Sequence, residues 1–170
     1  MRKLGFISLV SFVILLVYAN WPIDALPPKV KITSIEISKH DRTLILYSGS
    51  TILKTYLVSL GRSPLGAKVQ EGDNKTPEGD YTIEKIKNDS AFHLALKISY
   101  PTPAQVESAR TRGVKPGSDI MIHGIRNGLG FLGRLHRCLD WTAGCIALTN
   151  LEIEQIAAIS FVGLPVRIVP

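Results

Sequence analysis

No internal repeat, no low-complexity tract and no cluster of lysine and arginine with interleaved aromatics occurs in this sequence. A repeat architecture is thereby set aside. Nucleic acid is a poor fit as a partner, since modules that bind it gather basic charge on one stripe or face. Cysteine is scarce, with Cys138 and Cys145 the two in 170 residues. With His123 and His136 they match none of the short paired spacings of structural zinc, so no metal is expected, and no cofactor either. Acidic residues are the minority charge, 14 against 20 Lys+Arg, and the net charge of +6 suits an anionic wall or membrane surface.

What is present begins with an export-like N-terminus. Arg2 and Lys3 precede an apolar run from Leu4 to Ala19, broken only by Gly5, Ser8 and Ser11. Residues 1–19 therefore read as a signal peptide, cut after Ala19, or as an inner-membrane anchor through residues 4–19 with Trp21 at the interface. Either places the domain in the periplasm or cell envelope. Residues 20–30, with Pro22, Pro27 and Pro28, read as a tether, and residues 31–170 as one domain long enough to bury a core.

Within that domain, Ile32–Ser38, Thr43–Tyr47 and Ile52–Leu60 alternate or are β-prone, and Ser48-Gly49-Ser50 supplies a turn, so an antiparallel meander is expected. Residues 61–77 read as a loop; Asp80–Lys87, Phe92–Tyr100 and Val166–Val169 are further strands. Two short helices are expected, one over Pro103–Arg112 capped by Thr102, the other from the capping box Thr149-Asn150-Leu151-Glu152 to about Ser160. The fold class is mainly β, a single sandwich or barrel-like domain.

Chemistry concentrates between Ile120 and Asn150. The apolar run Ile120-Met121-Ile122 ends in His123-Gly124, a glycine-rich basic loop follows, and Thr142-Ala143-Gly144-Cys145 leads into Ile146-Ala147-Leu148. A thiol near pH ~8.5 is mostly protonated at neutrality, so a nucleophilic Cys145 needs a base, and His123 is the candidate. Gly144 lets a substrate approach and leaves the Gly144 and Cys145 N–H groups for a developing oxyanion, with Thr142 as a further donor. The Gly124 carbonyl is a candidate for fixing the imidazole tautomer. A thiol titrating below its free value is the expected signature. His93 reads as a solvated or core-edge residue, Asp140 as a local cap and Trp141 as a wall of the cleft.

His123-Gly124 followed by Thr142-Ala143-Gly144-Cys145, together with Lys75–Ile83 (KTPEGDYTI), resembles the L,D-transpeptidase catalytic (YkuD-like) domain. The resemblance runs from about Ile32 to the C-terminus and departs at Ala143, where many members carry a second histidine. It implies a YkuD-type fold and an exported acyltransferase of cell-wall organisation and cell shape. Its substrates would be peptidoglycan stem peptides, processed through a Cys145 thioester. Arg126, Arg134 and Arg137 in the His-to-Cys loop would then meet stem carboxylates, on a loop whose glycines permit a mobile flap. Two alternatives stay open on the same residues: an L,D-carboxypeptidase or amidase on the same substrate, and a non-catalytic wall-binding module with a Cys138–Cys145 disulfide. A papain-like enzyme is a further contrast, since it wants its cysteine at a helix start.

Overall fold

The computed structural model describes residues 2–27 and 30–170. Pro28, part of the expected tether, and Lys29 lie outside the described residues. Arg2–Ala19 form helix α1, and among the described residues no helix is long and apolar enough to cross a membrane. The end of α1 rests on the domain. Ala19 is buried, and the Asn20 side chain donates to the Phe131 carbonyl at 2.8 Å. Residues 21–27 have no regular structure, yet Lys54 and Gln155 both donate to the Asp24 carbonyl, and Leu26 packs on the core.

Eight strands follow: β1 (Ser34–Ser38), β2 (Thr43–Ser48), β3 (Thr51–Leu57), β4 (Gly79–Ser90), β5 (His93–Ile98), β6 (Met121–His123), β7 (Ile146–Ala147) and β8 (Pro165–Val169). They make one mixed sheet in the order β3-β2-β1-β8-β4-β5-β6-β7, so the mainly β expectation holds. The antiparallel meander of β1, β2 and β3 is present. Two pairings had no local signal: β8 inserts between β1 and β4, parallel to β1, and β6 runs parallel to β7.

β4 explains how a single sheet encloses a core. Its first residues, Gly79–Thr82, pair with β8, whereas Ile83–Ser90 pair with β5. One long strand thus serves two halves of the sheet. Alternation sends Ile35, Ile37, Leu44 and Leu46 inward from one half, and Ile83, Leu96, Ile98, Ile122 and Ile146 from the other, all with 0% exposure. Each such side chain contributes about 1.5–3 kcal/mol relative to an exposed one.

Helix α2 (Pro103–Thr111) begins at Thr102 with Pro103 in its first turn, and helix α3 (Asn150–Ile159) begins at Thr149. Both carry reciprocal capping boxes, Thr102 with Gln105 and Thr149 with Glu152. α3 lies against β5 and β6 and buries Ile153 and Ile156. Between β6 and β7 the chain coils into a 3-10 segment, Gly130–Cys138, kinked at Gly133 (φ 46°, ψ −131°). A Cβ on Gly133 would collide with the Ala19 carbonyl, so glycine is what lets the end of α1 dock there.

Candidate active site

β6 is three residues long but paired on both sides, with His123 opposite Ala95 of β5 and Ala147 of β7. Ile122 faces the core, so Met121 and His123 face the other way. The parallel register Ile122↔Ile146 sets Cys145 beside Met121, on the same face as His123 and two positions away on the neighbouring strand. Cys145 thus stands at a strand edge and not at a helix start, unlike a papain-like nucleophile.

His123 is only 3% exposed. Its Nδ1–H donates to the Gly124 carbonyl at 2.6 Å, which leaves the lone pair on Nε2. Phe92 and Trp141 pack on the ring, with centroids 4.6 and 5.8 Å away. Burial pushes the His123 pKa down, against the opposing pull of the Gly124 hydrogen bond. The ring is therefore a neutral imidazole at neutral pH, in the tautomer a proton acceptor requires.

The thiol departs from expectation. Cys145 is partly buried, and its sulfur lies 3.6 Å from the Asp119 carbonyl. Asp119 holds a left-handed backbone (φ 57°), a conformation that Asp tolerates better than most residues. Burial pushes the Cys145 thiol up; a Met121 backbone hydrogen bond and the Lys68 charge pull it down, and Asp119 adds to the rise. A thiol titrating below its free value is thus replaced by one titrating above it. The resting pair is a protonated thiol and a neutral imidazole, so thiolate forms only as the proton moves.

The turn before Cys145 also differs in detail. Thr142 Oγ1 accepts from the Gly144 N–H at 3.1 Å and donates to the Cys145 carbonyl at 2.7 Å. Two of the three expected oxyanion donors, the Gly144 N–H and the Thr142 hydroxyl, are spent inside the turn. The turn's own hydrogen bonds do not use the Cys145 N–H. Gly144 is required for another reason: at φ 129°, a Cβ would lie 2.6 Å from the Lys75 carbonyl.

His123 and Cys145 line one cleft of about 810 Å³. Its walls are largely apolar, with Phe92, Met121, Ile125, Leu132, Leu135 and Trp141 among them. Of the three loop arginines, only Arg126 lines it. Arg137 is committed to the buried Glu152 carboxylate, and Arg134 donates to the Tyr18 carbonyl at 3.4 Å, so neither is placed for a stem carboxylate. Arg62 and Lys87, which no local pattern marks, line the cleft instead. Nor is the loop a free flap. Asn150 of α3 accepts from the Ile125 N–H at 2.9 Å and fills the space beside Gly124 and Gly130, so those glycines serve close approach.

His93 does not line the cleft; it pairs with Glu154. Asp140 accepts from the Leu60 N–H at 2.9 Å and pairs with Arg42, while Trp141 is a cleft wall. Cys138 is exposed, Cys145 is partly buried, and both thiols are free. Among the described residues, no group of three or more His, Cys, Asp and Glu is placed to hold a metal ion.

Comparison with known proteins agrees with this arrangement. The family model of the YkuD L,D-transpeptidase catalytic domain matches residues 32–168. "Putative L,D-transpeptidase YafK" of Escherichia coli (strain K12) is 32% identical over 128 residues, 72% of this chain and 44% of that protein. The chain thus spans less than half the length of the curated relatives it matches. Two solved structures share the fold. The helical cell shape determining protein Pgp2 from Campylobacter jejuni superposes with a TM-score of 0.58 at 23% identity, over 91% of this chain and 54% of its own. An L,D-transpeptidase from Mycobacterium smegmatis does so with a TM-score of 0.52 at 13% identity, over 82% and 59%.

Proposed function

Because the chain belongs to the L,D-transpeptidase catalytic domain family, we propose that it is an exported cysteine acyltransferase acting on peptidoglycan stem peptides, with Cys145 as nucleophile and His123 as base. The observation that carries this reading is the His123 tautomer. Its Nδ1–H is held by the Gly124 carbonyl, so Nε2 presents a lone pair on the face and in the cleft that Cys145 shares.

The steps follow from the protonation states. The Cys145 thiol gives its proton to His123 Nε2 as sulfur attacks the carbonyl of the diamino acid that precedes a terminal D-alanine. The Cys145 N–H faces the resulting oxyanion. The C–N bond to D-alanine breaks, and the imidazolium returns the proton to the leaving amine. An acceptor amine then passes a proton to Nε2 and displaces the thiolate from the thioester, which forms a cross-link or attaches the acceptor; water in its place gives carboxypeptidase or amidase chemistry. Arg62, Lys87 and Arg126 supply the positive rim for stem carboxylates.

The basic start at Arg2-Lys3 and the apolar run to Ala19 support export to the cell envelope, cleaved or anchored. Incubation with a tetrapeptide stem and mass analysis of the products test the activity. Loss of the terminal alanine, with transfer to amine or water, is expected for the wild type and Cys138→Ala. Cys145→Ala should be inert. An inactive wild type with no free thiols would favour the non-catalytic wall-binding module with a disulfide.

A further inference from the structure

His136 sits in the 3-10 segment and is not needed by the steps above, yet it is 92% buried in the wall of the same cleft (8% exposed). The Trp141 indole N–H donates to its Nδ1 at 3.3 Å. Indole is a donor only, so Nδ1 is the acceptor, and a neutral ring must carry its hydrogen on Nε2. The Ser59 hydroxyl also stands at 3.4 Å from Nδ1 and donates to the His136 carbonyl at 3.3 Å, so the ring is held from the Nδ1 side. Nε2 is buried and has no hydrogen-bond partner among the described residues. A buried donor left unpaired costs about 1–3 kcal/mol, a cost that needs a reason.

We propose that the His136 Nε2–H, shielded in the unliganded protein, is a substrate-binding donor that the apolar wall around it uncovers as a stem enters the cleft, and that it then receives a peptide carbonyl oxygen of the stem. This inference rests on the stem-peptide reading above. Two features select a neutral carbonyl over a carboxylate. The walls around the site are apolar, with Phe92, Leu132, Leu135 and Trp141, and a carboxylate placed there would lose its hydration without a counter-charge. Burial, aided by Arg137, also holds the His136 pKa down at about 4, so the donor is uncharged at neutral pH. The charged rim residues Arg62 and Arg126 remain for carboxylates. Through Trp141, whose ring stands 6.3 Å from His136 and 5.8 Å from His123, the same contact aligns the wall against the base.

The test uses the full chain with Cys145→Ala, so that a tetrapeptide stem ending in a diamino acid and D-alanine binds without turnover. Nitrogen-15 spectra of the histidine rings should show His136 protonated on Nε2 before addition, and that N–H should shift on binding. His136→Phe should weaken stem binding about 10-fold, and His136→Gln, which keeps an N–H donor, should recover part of the loss. A stem analogue with one amide carbonyl reduced to methylene should bind the wild type and His136→Phe alike. If the stem binds while the Nε2–H stays unmoved and His136→Phe binds as the wild type does, the His136 assignment is overturned and the stem-peptide reading stands. If the wild type neither binds nor turns over stems, the stem-peptide reading itself falls.

Discussion

At the scale of single residues, the protonation states of Cys145 and His123 decide how the site behaves. Since burial raises the thiol and lowers the imidazole, alkylation of Cys145 by a neutral reagent should show a midpoint above the ~8.5 of a free cysteine. A midpoint well below that value would mean a preformed thiolate–imidazolium pair and would refute the stepwise proton transfer argued above. His123→Gln removes the acceptor and should cost on the order of 10²-fold or more in turnover. Gly144→Ala sets a methyl group against the Lys75 carbonyl at a backbone angle that alanine resists. It should destabilise the fold by at least about 1 kcal/mol in urea denaturation, and a variant as stable as the wild type would show that the turn can yield. The two residues that share the cleft, His123 and Cys145, were legible in the sequence because each sits in a short local pattern, His-Gly after an apolar run and Thr-x-Gly-Cys before one. The roles of Gly144 N–H, Thr142, Arg134 and Arg137 were not. Their partners are set by how a turn closes on itself or by groups distant in sequence, such as Glu152 and Tyr18.

Among the elements, the first turn of α3 has the widest reach. Thr149 and Glu152 close a capping box, Glu152 also holds Arg137 of the 3-10 segment, and Asn150 ties down Ile125. One helix start therefore fixes both ends of the His-to-Cys loop. Thr149→Ala should cost about 1 kcal/mol, the usual loss for a cap. Glu152→Gln leaves the Arg137 guanidinium, 14% exposed, without its counter-charge, and should cost about 3 kcal/mol or more. A loss smaller than that of Thr149→Ala would mean that the pair is not what anchors the loop. Both capped helices were readable because a capping box is confined to four consecutive residues. The parallel pairing of β6 with β7 was not, since strands of three and two residues carry almost no alternation to read.

For the whole molecule, two buried neutral histidines set the acid limit. An unfolded chain protonates His136 near its ordinary 6.5, whereas the folded ring resists down to about 4. The unfolded state therefore binds more protons in that window, and stability should fall as pH drops from about 6.5 to about 4, by up to roughly 3 kcal/mol from His136 alone. His123 shifts the same way and adds to the loss. Urea midpoints at pH 7 and pH 4.5 measure it, and His136→Phe should flatten the dependence. Finally, the position of β8 bears on when the chain can fold at all. Its Val166 and Ile168 pair with Ile35 and Ile37 from the start of the domain, and its other edge takes β4. The strand farthest along the domain in sequence is thus an interior strand of the sheet, and closing it spans nearly the whole domain, a topology of high contact order that folds slowly. Without β8 the sheet would be split in two, β3-β2-β1 on one side and β4-β5-β6-β7 on the other, so neither half of the core is closed until that strand is in place.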